Sequence, residues 1–389
     1  MLNICFVAPY AWPILSGSTT DTTVGGSEVK MVTMASAMAK RGHRISMLVL
    51  DYGQADEVSI GGVTAYKTHR HDEGIPILRF LHPRLTSTWS ALRRCNASCY
   101  LESGAGAMTG ITAKFAQLNK RSFVYWGASD ADFDAQLPLI KYARDRWLYK
   151  GGIRYANKVF VQTVRQACAV ETVFEKPSVL LPNPFNEHQP QNITDTSAVD
   201  TSTNAARNNS GTKVILWAAR MVALKKPERF IQLARLLPNH RFVMAGGTTA
   251  QLLLVLNAQS EESITAADLP PNLDVVGAIP FALIDPYFDQ AAVIVNTSDI
   301  EGLPNTFLQA WSRKKPSLSL FDPGLPIDSP MRALVARDFS YMVVLLSELI
   351  ANDTYRDGLG AACYEHFKST HSISAAVNTM ETHLSELAI

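Results

Sequence analysis

Five cysteines in 389 residues, Cys5, Cys95, Cys99, Cys168 and Cys363, are too few and too scattered for a disulfide framework. Cys95 and Cys99 stand four apart without a second pair at metal-ligand spacing, so buried thiols in a reducing compartment are expected. No apolar run approaches the roughly 20 residues that cross a bilayer. The opening Leu2 to Pro9 lacks a basic leader and a small-residue cleavage site, and reads as a first buried strand instead of a signal peptide. A formal net charge of +1 gives no signature of a nucleic-acid partner. A cytoplasmic chain is expected.

What is present fits an α/β enzyme. Apolar residues make up 47% and charged residues 18%, too apolar for a disordered chain, and 389 residues suit two domains. The two parts differ in charge. Residues 1–186 hold 21 Lys/Arg against 14 Asp/Glu, and the remainder 15 against 21, so the basic first part is the one suited to face something anionic.

Short apolar runs alternate with amphipathic stretches, the signature of stacked βαβ units. Strands are expected at 2–8, 45–50, 63–68, 98–102, 122–126, 158–163 and 177–182, with helices at 26–41, 106–119, 137–156 and 164–174. From 187 to 212 the chain is rich in Asn, Ser and Thr and nearly free of large apolar residues, and reads as a polar linker or loop. Alternation resumes at 214–217 and continues through 241–245, 273–277, 292–296 and 316–321. Helices follow at 227–237, 305–313, 343–351 and 354–368. The tail, 372–388, keeps a helical period. The expected domains are 1–186 and 213–370, each Rossmann-like, with a terminal helix over 371–389 returning to the first.

Three clusters carry chemistry. The first is Val24-Gly25-Gly26-Ser27-Glu28, where paired glycines let backbone amides approach a ligand at a helix start. An ordinary glycine turn with Ser27 as N-cap explains it as well. The second is Arg220-Met221-Val222-Ala223-Leu224-Lys225-Lys226-Pro227, a strand-to-helix loop at the carboxyl end of a strand, where open α/β sheets bind ligands. Arg220 and Lys225 there can converge on a diphosphate, one as a planar fork and the other as a point charge. The third runs from Asn296 through Glu301-Gly302-Leu303-Pro304-Asn305-Thr306 to Gln309 and Trp311. It places a carboxylate beside helix-start amides able to hold phosphate oxygens. A carboxylate in such a place suits the hydroxyls of a sugar.

With these clusters in order, the chain resembles the family-4 glycosyltransferases of the GT-B fold, two Rossmann-like domains facing across a cleft. The early Gly25-Gly26 loop, the Arg220–Lys225 loop, Gly246-Gly247, Gly277-x-x-Pro280 and the block from Glu301 carry the likeness, which spans nearly the whole chain apart from the linker. The resemblance implies a retaining, metal-independent hexosyltransferase working in cell-surface polysaccharide biosynthesis. Its co-substrate would be a UDP- or GDP-sugar, with no bound cofactor, and its acceptor a glycan or lipid-linked. Catalysis would fall to Glu301, Lys225 and Arg220. Donor binding would fall to Gly302, Leu303, Pro304, Asn305, Thr306, Gln309, Gly246 and Ile279. Gly25, Gly26, Glu28 and Asp130 would form the acceptor or phosphate loop.

Two positions depart from the family pattern. Gln309 stands where a second glutamate is usual; an amide still donates and accepts toward ribose hydroxyls. The stretch Tyr125-Trp126-Gly127-Ala128-Ser129-Asp130-Ala131-Asp132 has no histidine where the family often carries one near the acceptor. A catalytically silent binding protein, or a phosphorylase or epimerase of the same fold, is the alternative. A phosphorylase would need a lysine context for pyridoxal that is not seen here.

The segment from Lys141 to Lys150, with Arg154 and Lys158, is basic and aromatic. Two readings stand: a helix lying on an anionic membrane at its inner face, or an ordinary amphipathic helix that packs Trp147 and Leu148 inward. The second is preferred.

Overall fold

The computed structural model describes residues 1–18, 25–75, 80–187, 212–260 and 262–387. Val24 and all of the polar stretch except its end residues Glu187 and Thr212 lie outside them.

Two sheets organise the chain. The first comprises β1 (Asn3–Val7), β2 (Arg44–Val49), β3 (Glu57–Ile60), β4 (Val63–Lys67), β5 (Cys99–Glu102), β6 (Ser122–Trp126), β7 (Lys158–Val161) and β8 (Val179–Leu180), in the order β3-β4-β2-β1-β5-β6-β7-β8. All its pairings are parallel except β3 with β4. The second comprises β9 (Val214–Ala218), β10 (Arg241–Ala245), β11 (Leu273–Gly277), β12 (Val293–Asn296) and β13 (Ser317–Ser319), in the order β11-β10-β9-β12-β13, all parallel.

Both faces of the first sheet are covered, so its central strand β1 is apolar from Ile4 to Val7. Along β1 the side chains alternate. Ile4 and Phe6 join Met31, Met34 and Met38 of the helix Gly26–Lys40, while Cys5 and Val7 join Leu92 and Phe123 on the other face. The second sheet has its own core around Trp217, Phe230, Phe307 and Trp311.

The last helix, Ile373–Ser385, crosses back to the first sheet, where Ala376, Val377, Met380 and Leu384 join the core with Met31 and Met38. Burying such apolar side chains is worth roughly 1.5–3 kcal/mol each for the larger ones. Glu381 adds bonds to both Arg41 and His43, each 2.7 Å.

The expected strands and most expected helices are present. Sequence reading missed the edge strand β3 and the helices Thr86–Cys95, Thr249–Asn257 and Asp285–Gln290. The helix expected over 137–156 begins only at Ala143, and the inward packing of Trp147 is overturned: Trp147 is 74% exposed. Two glycines set that rotation. A Cβ on Gly110 would lie 2.4 Å from the Leu148 carbonyl oxygen, and one on Gly152 would lie 2.8 Å from the Thr109 backbone. The helices Ala107–Leu118 and Ala143–Tyr155 therefore touch backbone to backbone. Tyr149, Gly152 and Ile153 face the core, and Trp147 faces away.

Candidate active site

In the second sheet β9 is flanked by β10 on one side and β12 on the other, so the chain reverses direction of growth between β9 and β12. Ligands of open α/β sheets bind in the crevice outside the carboxyl ends at such a point. The Arg220–Lys225 loop leaves β9, and the Glu301 loop leaves β12.

Buried Thr297 joins the two loops. Its hydroxyl donates to the Lys225 carbonyl at 2.8 Å and accepts from Trp217 Nε1 at 3.0 Å. The first loop closes in a turn at Ala223–Lys225, Lys226 takes left-handed φ +51°, and Pro227 opens the next helix. That path brings the Lys225 ammonium against Glu301 Oε1, which also accepts from Ser298 Oγ at 2.9 Å. Both side chains are about five-sixths covered, at 16% and 15% exposure, so the pair is held in a setting where charge acts more strongly than in open water. Arg220 is exposed at the end of β9, and its side chain makes no hydrogen bond or ion pair among the described residues. Arg229 and Lys226 are engaged instead with Asp299, at 2.5 and 3.9 Å.

Gly246 has φ +131°, and a Cβ there would fall 1.7 Å from the Ala219 carbonyl oxygen. Its amide donates to Gly277 O at 2.8 Å, and its carbonyl accepts from Met221 at 3.3 Å. Gly246 is thus the point where the loops after β9, β10 and β11 meet backbone to backbone. Ile279 follows half-buried against the same core.

The block from Gly302 closes the space from the other side. Gly302 and Leu303 are buried, Pro304 precedes the helix Asn305–Trp311, and Gln309 on that helix is 4% exposed. Asn305 Nδ2 donates to Gly26 O at 2.8 Å, a bond between the two domains. The helix on that opposite wall starts at Gly26 with Gly25 as its cap, so Ser27 is not the N-cap; its hydroxyl donates to Glu28 Oε2 at 2.8 Å. A Cβ on Gly25 would lie 2.3 Å from that same Glu28 oxygen.

Behind Gly302 lies a polar bed that sequence reading did not single out. Lys30, 1% exposed, donates to Gly127 O at 2.7 Å with its ammonium 4.3 Å from the centroid of the Trp126 ring. Burial pulls its pKa down to about 7, against the opposing pull of Asp132 and Glu28. Gln162 Nε2 donates to the same Gly127 carbonyl at 2.7 Å. Gln166 accepts from Gln162 N at 2.8 Å and donates to Asp130 Oδ1 at 3.0 Å. Among the described residues Gln162 Oε1 has no hydrogen-bond partner, and it is buried on the side facing Gly302. Lys30 and the two glutamines read in sequence as ordinary helix and strand-end residues; only their burial distinguishes them.

The two aspartates after β6 differ. Asp132 is spent on its own loop, accepting from Tyr125 Oη, Ala128 N and Ser129 Oγ at 2.9, 2.6 and 3.0 Å. Asp130 keeps Gln166 and a longer contact with Arg165 at 3.4 Å, and burial raises its pKa. Among the described residues no group of three or more His, Cys, Asp or Glu is placed to hold a metal ion, and no helix is long and apolar enough to cross a membrane.

Residues 199–326 match the family described as glycosyl transferases group 1. No curated protein matches the chain in sequence. Among solved structures, it is similar to the sucrose-phosphate synthase of Thermosynechococcus elongatus, with TM-score 0.77 and 13% identity over 100% of this chain and 99% of that one. HepE of Anabaena in complex with UDP-glucose gives 0.69 and 13%, over 99% and 100%. A glycosyltransferase of Rickettsia africae gives 0.66 and 10%, over 99% and 98%. At such identities the structural likeness speaks for the fold, and the family match speaks for the chemistry of the second domain. The chain is a glycosyltransferase of the GT-B fold whose residues 199–326 match the group 1 glycosyl transferases.

Proposed function

We propose that this glycosyltransferase moves a hexose from a nucleoside-diphosphate sugar to a glycan or lipid-linked acceptor, with retention of configuration and without a divalent metal. It would work on the cytoplasmic side in cell-surface polysaccharide synthesis. The observation that carries the reading is the meeting of Lys225, Ser298 and Glu301 at the switch point between β9 and β12. HepE, a protein of the same fold, is seen with UDP-glucose, which supports a UDP-sugar as the donor.

In this reading the diphosphate lies between Arg220, Lys225 and the amides from Gly302 to Thr306. An ammonium has three N–H donors, so Lys225 can keep Glu301 and still reach a phosphate oxygen. The C1–O bond to the diphosphate breaks, and the acceptor oxygen bonds to C1 on the same face. The acceptor proton passes to the departing diphosphate oxygen. Cations fixed where negative charge develops lower the barrier without reorganising. Glu301 takes sugar hydroxyls, Gln309 the ribose, and Gly246 and Ile279 border the nucleoside. Gly25, Gly26, Glu28 and Asp130 line the acceptor side.

The test is thermal denaturation with UDP, GDP, ADP and their glucose conjugates. A ligand at a hundred times its dissociation constant stabilises by about 2.7 kcal/mol. Stabilisation by UDP and UDP-glucose, lost in Arg220→Ala, is expected. No response to any nucleotide would overturn the proposal in favour of a silent GT-B protein.

A further inference from the structure

The helix Ala143–Tyr155 turns an unusual stripe outward. At 100° per residue, positions 144, 147, 151, 154 and 155 fall within about 100° of arc. Trp147 is 74% exposed and Tyr155 56%, beside exposed Arg144 and Arg154. Just before the helix, Leu139 and Tyr142 are 57% and 58% exposed. Leu81 continues the apolar surface, because its neighbour Phe80 lies beneath the Arg144 guanidinium at 3.6 Å. The other side of the helix already has its core contacts through Tyr149, Gly152 and Ile153, so the core does not depend on the outer aromatics.

Charge tells what this surface is suited to meet. From 139 to 155 there are five Lys/Arg and a single acid, Asp145, which is paired with Arg144 at 2.7 Å. Trp and Tyr amid long basic side chains are the residues that settle at a lipid–water interface, rings at headgroup depth and cations reaching the phosphates. An exposed apolar patch of this kind marks an interaction site, and its cations select an anionic one.

We infer that this face docks the enzyme on an anionic membrane surface, with Trp147 and Tyr142 entering the headgroup layer. The helix is tied to the loop that carries Asp130. Tyr149 Oη donates to Asp132 O at 2.9 Å, Lys150 Nζ to Ala135 O at 3.3 Å, and Arg146 Nε to Ile140 O at 2.7 Å. Docking therefore holds the acceptor wall of the cleft close to the lipid, which selects the lipid-linked acceptor over the free glycan. That selection rests on the proposed transferase reading; the docking itself does not.

The full-length protein is to be sedimented with vesicles of pure phosphatidylcholine and of phosphatidylcholine with one quarter phosphatidylglycerol. Binding to the anionic vesicles alone is expected, with a blue shift of tryptophan emission. Trp147→Ser abolishes the shift, and each cation removed from Lys141, Arg144 and Arg154 lowers the partition coefficient about fivefold. These positions are at the surface, so the melting temperature and the UDP response stay as in the parent. No binding to anionic vesicles, equal binding to both kinds, or binding unchanged in Trp147→Ser and in the triple charge variant overturns the inference. So does selective capture by an acidic protein in place of vesicles. Loss of the UDP response with vesicle binding intact would instead defeat the donor reading.

Discussion

Gly302 is where the loop after β12 in one domain rests on the other, and Gly302→Val tests whether that contact matters. A Cβ at this position would stand 3.2 Å from Gln162 Oε1, 3.3 Å from Gln166 Nε2 and 3.5 Å from Ser129 Cα. The glutamines cannot swing away freely, since Gln162 holds Gly127 O and Gln166 holds both Gln162 N and Asp130. Backbone strain plays no part, because Gly302 does not have a left-handed φ. The crowding acts only when the domains close, so the cost of overpacking, about 1–3 kcal/mol, falls on closure and not on the folding of either domain. That corresponds to a closed population reduced about 5- to 150-fold. Steady-state transfer from UDP-glucose should fall by that factor, while the melting temperature and calorimetric affinity for UDP stay unchanged. Adding Gln162→Ala opens the space and should restore part of the lost rate, a coupling that a double-mutant cycle measures. Full activity in Gly302→Val, or a rate loss matched by a fall in melting temperature and in UDP affinity, would refute the argument.

Glu301→Ala and Lys225→Ala should each lower turnover by about 10²–10³-fold, with the circular-dichroism spectrum unchanged; near-normal kcat in either would remove that residue from the site. Gly246→Ala places a methyl 1.7 Å from Ala219 O at φ +131°, so a loss of more than about 4 kcal/mol is expected, seen as an unfolded second domain in hydrogen exchange. Glu102 is 3% exposed and accepts from Thr109 Oγ1 at 3.2 Å; burial raises its pKa well above 4.5. The unfolded chain loses that proton near 4.5 while the folded chain keeps it, so stability from this group is complete at low pH and falls as pH rises from 4.5 through the raised value. Glu102→Gln should flatten that decline, raising the melting temperature at pH 8 but not at pH 4; equal shifts at both pH values would contradict it.

The sheet strands were legible because the part of a strand covered on both faces must be apolar, as 4–7, 123–126 and 242–245 are. The Arg220–Lys225 loop and the Glu301 block were legible because both follow such strands directly. The helix from 143 shows where local pattern stops. Its rotation is set by Gly110 and Gly152 meeting a partner backbone, and a glycine carries no periodic signal, so Trp147 was placed inward when it faces out. The bed of Lys30, Gln162 and Gln166 was hidden for a related reason: a polar side chain declares itself only by burial, which depends on the far domain. What the sequence alone determined is the two-domain α/β class and the order of the loops at the strand ends, because these follow from periodicity and turn chemistry within short windows. Only the tertiary structure decided that Lys225 meets Glu301, that Asn305 reaches Gly26 and that an aromatic, basic face is left uncovered, because each depends on side chains far apart in the chain competing for the same space.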